Sequence, residues 1–308
     1  MTILQMKKNV IIYCYLVVLV IFSTSLYGAF ELLSTGASPR ATGMGDAYCG
    51  ISDDSNGIFY NPAGLTQVKS KQFYLVYSQF AIATEDSPIN NGRFSICIPF
   101  GEKIGTLSLG FTTLSWEKIY YENAYLLGYS RKIRDKINIG GVAKILSLGY
   151  SGEEISENIY FSERNAITSF SLDCGLLLVP TSQLSLGLGL RNLIEPNIGI
   201  QEENKLPTGV YLGIAYRIER LPSFVGLVDV DILISKYTRD INIGFETQHI
   251  SRKMSFNLRG GINFWSTAVN INLGFGIAFS KFKVDLAYSL PLELRENNSY
   301  KLGFGINF

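Results

Sequence analysis

The side chains that carry most acid–base and metal chemistry are scarce in this 308-residue chain, which has one histidine and four cysteines. A hydrolytic Ser–His pair needs its histidine within reach of nucleophile and substrate. His249 instead closes an alternating apolar/polar segment on its apolar phase, beside a tight connection. No enzyme is expected on these residues. Cys14, Cys49, Cys97 and Cys174 are too widely spaced for a zinc site or a disulfide framework. Gly43-Met44-Gly45 has the outline of a nucleotide loop, but lacks the strand before it and the helix after it that such a loop requires. Gly274-Phe275-Gly276 falls inside an alternating run. Asp229 and Asp231 share one strand face and have the chemistry to hold a cation, although a solvated polar pair is the simpler reading. Glu153, Glu154, Glu202 and Glu203 read as solvated loop residues. Neither a metal nor a cofactor is expected.

What remains is the chemistry of charges facing one another across a polar interior. Arg191, Arg217, Asp229, Asp231, Glu246 and Arg259 all stand on the polar phase of alternating segments. Asp53 and Asp54 lie in a different kind of segment, between Ala29 and Ser70, where no alternation is found. That segment contains Gly43, Gly45 and the run Asn61-Pro62-Ala63-Gly64-Leu65. Asn61-Pro62 favours a turn, and Gly64 admits backbone conformations closed to other residues. The two aspartates have Arg191, Arg217 and Arg259 as candidate partners.

The elements that position these groups are strands. Tyr300, Leu302, Phe304, Ile306 and Phe308 alternate without a slip with Lys301, Gly303, Gly305 and Asn307. Val269 to Ser280, Leu184 to Arg191 and Val210 to Ile218 alternate in the same way. Successive side chains of a strand point to opposite faces, so each run has one apolar and one polar face. Soluble sandwich strands are typically ~5–6 residues, whereas a tilted membrane-spanning strand needs ~9–11. The segments here suit the second length. Their polar face is rich in Gly, Asn, Ser and Thr with scattered charges, the composition of a barrel lumen rather than a soluble exterior. Fourteen segments alternate, and the long connections fall on one side by parity. An even count is what a bacterial single-chain barrel requires, and twelve to sixteen strands would keep that parity. Tyr74, Tyr77, Tyr125, Tyr129, Tyr150, Tyr216, Tyr237, Tyr288 and Tyr300 sit near segment ends and suit interfacial aromatic girdles.

Composition agrees. The chain is 47% hydrophobic with a formal net charge of +1, which opposes disorder and offers no basic surface to nucleic acid. Lys7 and Lys8 precede an apolar run from Val10 to Phe22 and then small residues, the form of an export signal. The expected organisation is a signal at 1–28, an N-terminal segment at 29–71 and a transmembrane β-barrel at 72–308.

The segment Ser38–Tyr48 followed by Ile51–Leu65 resembles the N-terminal region of the FadL-like outer-membrane proteins, most closely the PorV/PorQ and UPF0164 branch. Gly36, Arg40, Gly43, Met44, Gly45, Ala47, Asp53, Asp54, Asn61, Pro62, Ala63, Gly64 and Leu65 carry the match. Asp46 departs from it, since a glycine is common there. The resemblance implies a barrel of 14 strands with the N-terminal segment as a hatch in the lumen, and Gly43, Gly45, Asp53, Asp54 and Asn61–Gly64 as hatch or gating residues. It implies an outer-membrane channel for small hydrophobic compounds such as long-chain fatty acids. The alternative it implies is a PorV-like surface scaffold that binds exported cargo in type IX secretion. Outer-membrane lipid, a hydrophobic ligand, the barrel assembly machinery and a secretion partner are the expected partners. A channel predicts an apolar lumen pocket, with Val225, Leu227, Phe170, Leu172 and Cys174 as candidates. A scaffold predicts an apolar loop patch, with Ile155, Ile159, Tyr160, Phe161 and Ile198 as candidates.

Overall fold

A computed structural model describes residues 30, 36–80, 89–116, 119–152, 165–221, 224–236, 238–251, 254–265, 268–292 and 298–308. The expected export signal at 1–28 lies outside these, as do Tyr237, Ile155, Ile159, Tyr160 and Phe161.

The alternating segments are strands, and there are fourteen of them among the described residues: β1 (Gln72–Phe80), β2 (Ile89–Pro99), β3 (Thr106–Trp116), β4 (Tyr120–Arg134), β5 (Ile137–Tyr150), β6 (Ala166–Leu178), β7 (Leu184–Arg191), β8 (Gly209–Leu221), β9 (Phe224–Ile234), β10 (Arg239–Ser251), β11 (Met254–Phe264), β12 (Val269–Phe279), β13 (Phe282–Pro291) and β14 (Ser299–Asn307). Each pairs antiparallel with its sequence neighbours. The barrel closes where β1 meets β14, in register from Gln72↔Asn307 to Phe80↔Ser299. Closure gives every strand two neighbours, the condition for a sheet that stands in hydrocarbon. Strand ends follow the sequence pattern closely. The larger differences are extensions of β2 back to Ile89, of β4 back to Tyr120 and of β8 forward to Leu221.

Alternation places Leu75, Tyr125, Leu127, Ile214, Leu258, Leu273, Leu286 and Leu302 on the outside, all exposed. Cross-strand aromatics run around that face from Phe73 through Phe94 and Phe111 to Tyr125, with ring centroids 6.4, 5.7 and 5.0 Å apart. The outward apolar band is the membrane-facing surface of a transmembrane barrel. Two of the expected girdle tyrosines are not on it. Tyr74 faces the lumen and is buried, and Tyr150 packs against the interior apolar cluster. Both sit near strand ends, but on the inward phase.

The core lies inside the barrel. Residues 36–68 fold into the lumen as one short helix, α1 (Pro39–Gly43), and two 3₁₀ turns, Ser55–Phe59 and Pro62–Gln67. Local sequence sets each start. Ser38 caps α1, its hydroxyl accepting from the Ala41 amide at 3.2 Å, with Pro39 in the first helical position. Asp54 and Asn61 cap the 3₁₀ turns, accepting from Asn56 and Ala63 at 3.0 and 3.1 Å. Gly45 and Asp46 then turn the chain with φ of 63° and 57°. The left-handed region favours glycine, which accounts for the glycine common at position 46 in the resembling proteins. Here the Asp46 carboxylate accepts from the Gly36 amide and the Tyr60 hydroxyl, both at 2.9 Å, and these bonds offset the backbone cost.

Candidate functional site: the plug and its contacts with the wall

The lumen segment is fitted to the barrel through glycine. On seven strands from β5 to β12 a wall glycine is in direct contact with the segment's backbone: Gly140 and Gly175 with Pro62–Ala63, Gly187 and Gly213 with Cys49–Gly50, Gly244 and Gly261 with Met44–Gly45, and Gly274 with Gly43. A Cβ at any of these would run into that backbone or force it away. The polar phase of these strands is glycine-rich because another chain segment lies on it. Gly64 fits the same logic. A Cβ there would collide with the Ser52 backbone, so the residue is fixed by close approach and not, as its sequence context suggests, by a special φ.

Between β8 and β10 the wall presents carboxylates instead. Asp231 Oδ2 accepts from the amides of Tyr48 and Cys49 at 2.7 and 2.6 Å. Asp229 and Asp231 are 0% and 1% exposed, so the expected solvated pair is in fact buried under the plug. No cluster of three or more metal-ligating side chains occurs among the described residues. Asn61 fixes the far side, donating to the carbonyls of Cys49 and Leu176, each at 3.1 Å. Arg191 donates to the Phe59 carbonyl and the Tyr211 hydroxyl, both at 2.6 Å, and lies 3.8 Å over the Tyr211 ring. Burial holds the Cys49 thiol well above its usual pKa, reinforced by Asp231 and Asp229, so it is neutral.

The charged residues converge at the end of the barrel where the chain enters at Gln72 and leaves at Asn307. Arg40 of α1 is the hub. Its guanidinium meets Asp53 at 2.6 Å, Glu246 at 2.7 Å, Asp54 at 3.2 Å and the Tyr48 hydroxyl at 3.1 Å. Arg259 continues the chain of ion pairs, from Glu246 at 2.8 Å to Asp285 at 2.7 Å. Lys283 closes it, 3.1 Å from Asp285 and 3.9 Å from Asp54. The result is a ring of alternating charge, joined to the wall at Arg40–Glu246 and at Asp54–Lys283. Burial opposes the charge on Arg40, but Asp53 and Glu246 outweigh it and hold its pKa well above the usual value. Burial likewise opposes the Asp54 carboxylate, and Lys283 and Arg40 outweigh it, leaving its pKa below the usual range. A cavity of about 340 Å³ opens beneath the ring, lined by Arg40, Asp54, Tyr74, Arg217, Glu246 and Lys283 among others.

Three expected arginine partners of the aspartate pair therefore separate. Arg217 reaches Asp53, loosely, at 3.5 Å. Arg191 and Arg259 are engaged elsewhere, and the main partners are Arg40 and Lys283. Sequence pattern missed Arg40 as the hub because it lies inside the non-alternating segment, where facing is not legible. The one signal was its place in the resembling motif.

Toward the loop end, β4 to β6 face the lumen with a group of apolar residues, beside Glu122, which accepts from the Phe30 amide and the Tyr120 hydroxyl. Leu126, Leu146, Leu148 and Ile167 of β4, β5 and β6 point inward and meet Ile198 of the β7–β8 connection. Tyr120, Tyr150, Ile200 and Leu206 pack against them. Ile198 is thus buried and not part of an exposed loop patch. Of the candidate pocket residues, Leu227 faces inward and is buried, whereas Phe170 and Cys174 are exposed on the outer face. The register puts Ser171 and Asp173 inside, which sends their neighbours out. Beside this apolar region the wall is thin in hydrogen bonds. β7 has eight residues and pairs with β6 only from Cys174↔Leu190 to Leu178↔Leu186. The β7–β8 connection spans the remainder, with the Leu193 amide donating to the Leu172 carbonyl at 2.9 Å and the Ser169 hydroxyl to the Asn197 carbonyl.

No protein-family profile matches the chain, and no curated relative matches it in sequence. Solved structures do match in fold. The toluene transporter TbuX of Ralstonia pickettii aligns at 11% identity over 91% of this chain and 100% of its own, with a TM-score of 0.62. The toluene transporter TodX of P. putida aligns at 12% over 89% of this chain and 99% of its own, TM-score 0.64. A FadL homologue of Pseudomonas aeruginosa aligns at 10% over 88% and 97%, TM-score 0.55. At such identity the likeness is one of fold: a FadL-like closed barrel of 14 strands.

Proposed function

We propose that the protein is an outer-membrane channel, of the FadL-like kind, that passes small hydrophobic compounds and performs no covalent chemistry. The observation that carries this is the two-part lumen. Leu126, Leu146, Leu148, Ile167 and Ile198 belong to an apolar cluster inside the barrel that the plug shares, and a charged cavity lies at the end where the chain enters at Gln72. A hydrophobic solute gains by leaving water for the first and is not retained by the second. The fold it shares with two toluene transporters supports the same class of cargo. Long-chain fatty acids fit that class, as do smaller hydrocarbons.

In this reading residues 1–28 export the chain, the barrel assembly machinery inserts it from the periplasm, and outer-membrane lipid covers the apolar band. Residues 29–71 are the hatch. Gly43, Gly45 and Asn61–Gly64 seat it against the wall, while Arg40 latches it to Glu246, and Asp53 and Asp54 reach Arg217 and Lys283. Cargo enters at the loop end and departs toward the periplasm past the latch. The thinly bonded wall between β6 and β8, beside the apolar cluster, offers a second way out, into lipid.

One observation favours the alternative, a PorV-like scaffold in type IX secretion. The plug's backbone rests on wall glycines over seven strands, so the barrel is closed tightly, as a surface scaffold would require. The resemblance of residues 43–65 to the PorV/PorQ and UPF0164 branch points the same way.

Solvent extraction separates the two. Folded protein purified from native outer membrane in mild detergent is extracted and analysed by mass spectrometry against an unrelated barrel. A stoichiometric hydrophobic compound supports the channel. Background lipid with a co-purifying exported protein replaces it with the scaffold.

A further inference from the structure

The lumen-facing glycines of the wall are covered in physically different ways. On the seven glycine-bearing strands described above, backbone lies on backbone, and no side-chain rotation opens the contact. On β14 the lumen-facing glycines, Gly303 and Gly305, are covered differently. The atoms nearest to a Cβ at either position belong to Tyr74, a wall residue of β1. Tyr74 stands opposite Gly305 in the β1–β14 register, its ring lying over both glycines. It is 4% exposed, and its hydroxyl donates to Asp285 Oδ2 at 2.6 Å.

The position of this side chain matters. Tyr74, Gly305 and Lys283 line the charged cavity beneath the plug. One step toward the loop end, Val76 faces Gly303, and beyond it Lys301 donates to the Gly36 carbonyl at 2.8 Å, where the plug begins. Below the contact between Lys301 and Gly36, the lumen face of β14 therefore has two residues without side chains, covered by one aromatic ring. Lifting the plug elsewhere breaks backbone contacts and the Arg40 ion pairs together. Swinging Tyr74 breaks one hydrogen bond and moves its ring off Lys283, whose Nζ lies 5.6 Å from the ring centroid.

We propose that Tyr74 is the gate of the barrel, and that its rotation opens a chute along Gly303 and Gly305 into the charged cavity while the hatch stays seated. This rests on the transport reading above and deepens it. The space released is that of one six-membered ring, so the gate passes linear or monocyclic hydrophobic compounds and stops fused ring systems.

The test is ion conductance of the full-length protein in planar bilayers, with heat-modifiable gel mobility as the check on folding. Tyr74→Phe keeps the ring and loses the bond to Asp285, and raises the open fraction about tenfold to a hundredfold, the weight of a hydrogen bond to a charged group. Tyr74→Ala conducts continuously. Gly303→Ala, whose new methyl meets the Tyr74 hydroxyl, displaces the ring and also raises conductance. Tyr77→Ala, on the outer face of the same strand, leaves it at the wild-type level. Folded Tyr74→Ala and Gly303→Ala proteins that conduct no more than wild type overturn the gate, whatever the extraction experiment returns. Conducting variants in a barrel that yields no hydrophobic compound uphold the gate and remove the hydrophobic cargo.

Discussion

Replacing Arg40 by alanine removes the hub of the ion-pair ring, and its cost is set by what each carboxylate keeps. Stripping one partner from a buried ion pair costs ~3–5 kcal/mol, because a charge is left buried without compensation. Three carboxylates lose Arg40 together, but none is left alone. Glu246 keeps Arg259 at 2.8 Å, Asp53 keeps Arg217 at 3.5 Å, and Asp54 keeps Lys283 at 3.9 Å. The adjoining cavity of about 340 Å³ admits water to the same groups. The lower end of the range applies, about 3 kcal/mol, which raises the population of undocked plug by about two powers of ten. Hydrogen exchange read by mass spectrometry on the folded barrel in detergent measures this directly, since local opening sets amide protection. Peptides covering residues 37–68 lose about a hundredfold in protection, while β2 to β6 hold theirs as the internal reference. Arg40→Lys recovers only part, because one ammonium cannot fork toward Glu246 and Asp53 at once. Unchanged protection of the plug in a folded Arg40→Ala barrel would refute the latch. Equal loss across plug and strands would show that Arg40 supports the barrel as a whole and not the docking of the plug.

Gly261→Val puts a side chain into the Met44–Gly45 backbone and costs at least ~3 kcal/mol of docking, whereas Gly92→Ala, with only the Thr113 methyl nearby, stays within ~0.5 kcal/mol; limited proteolysis of the plug compares them. Asp54 has a pKa held below that of an unfolded aspartate, so its contribution to docking is complete above ~pH 4 and is lost as pH falls through the lower folded value. Plug protection should therefore persist to about pH 4 and fall below it, and Asp54→Asn should flatten that acid limb. Leu273→Arg places a charge near mid-strand on the lipid face, where it costs ~2–4 kcal/mol, measurable as a lower denaturant midpoint of folding into vesicles.

The barrel is legible in the sequence because a strand has a period of two and a lipid face tolerates no exceptions. A single slip exposes charge to hydrocarbon, so the pattern from Val269 to Ser280 and from Tyr300 to Phe308 fixes both strand and facing. Strand ends are less legible. β2 begins at Ile89, four residues before the alternation of Arg93 is convincing, because Asn90 and Asn91 carry no apolar contrast. The lumen is harder still. Its residues face other protein, and inward-facing tyrosine looks the same as girdle tyrosine from the sequence alone. Tyr74 illustrates this: it is followed by the outward Leu75 and Tyr77, and only its phase places it inside. The pairing of Arg40 with Glu246 spans 206 positions and leaves no local signal at all.

The glycines connect these levels. On the polar phase of a barrel strand a glycine suggests a lumen simply lined with small residues, and the composition of 30 glycines fits that picture. The structure gives the stronger reason: a glycine stands where a second backbone must come within contact, as Gly187 and Gly213 do for Cys49–Gly50. A barrel of 14 strands is too wide to be filled by its own wall side chains, so it is filled by a segment of chain, and the wall gives up side chains to receive it. That exchange makes the contact rigid, because neither partner has a rotamer to change. Motion is then confined to the places where a side chain does the sealing. Arg40 with its carboxylates holds the plug from below, and Tyr74 covers Gly303 and Gly305, two wall glycines against which a side chain and not the plug's backbone is nearest.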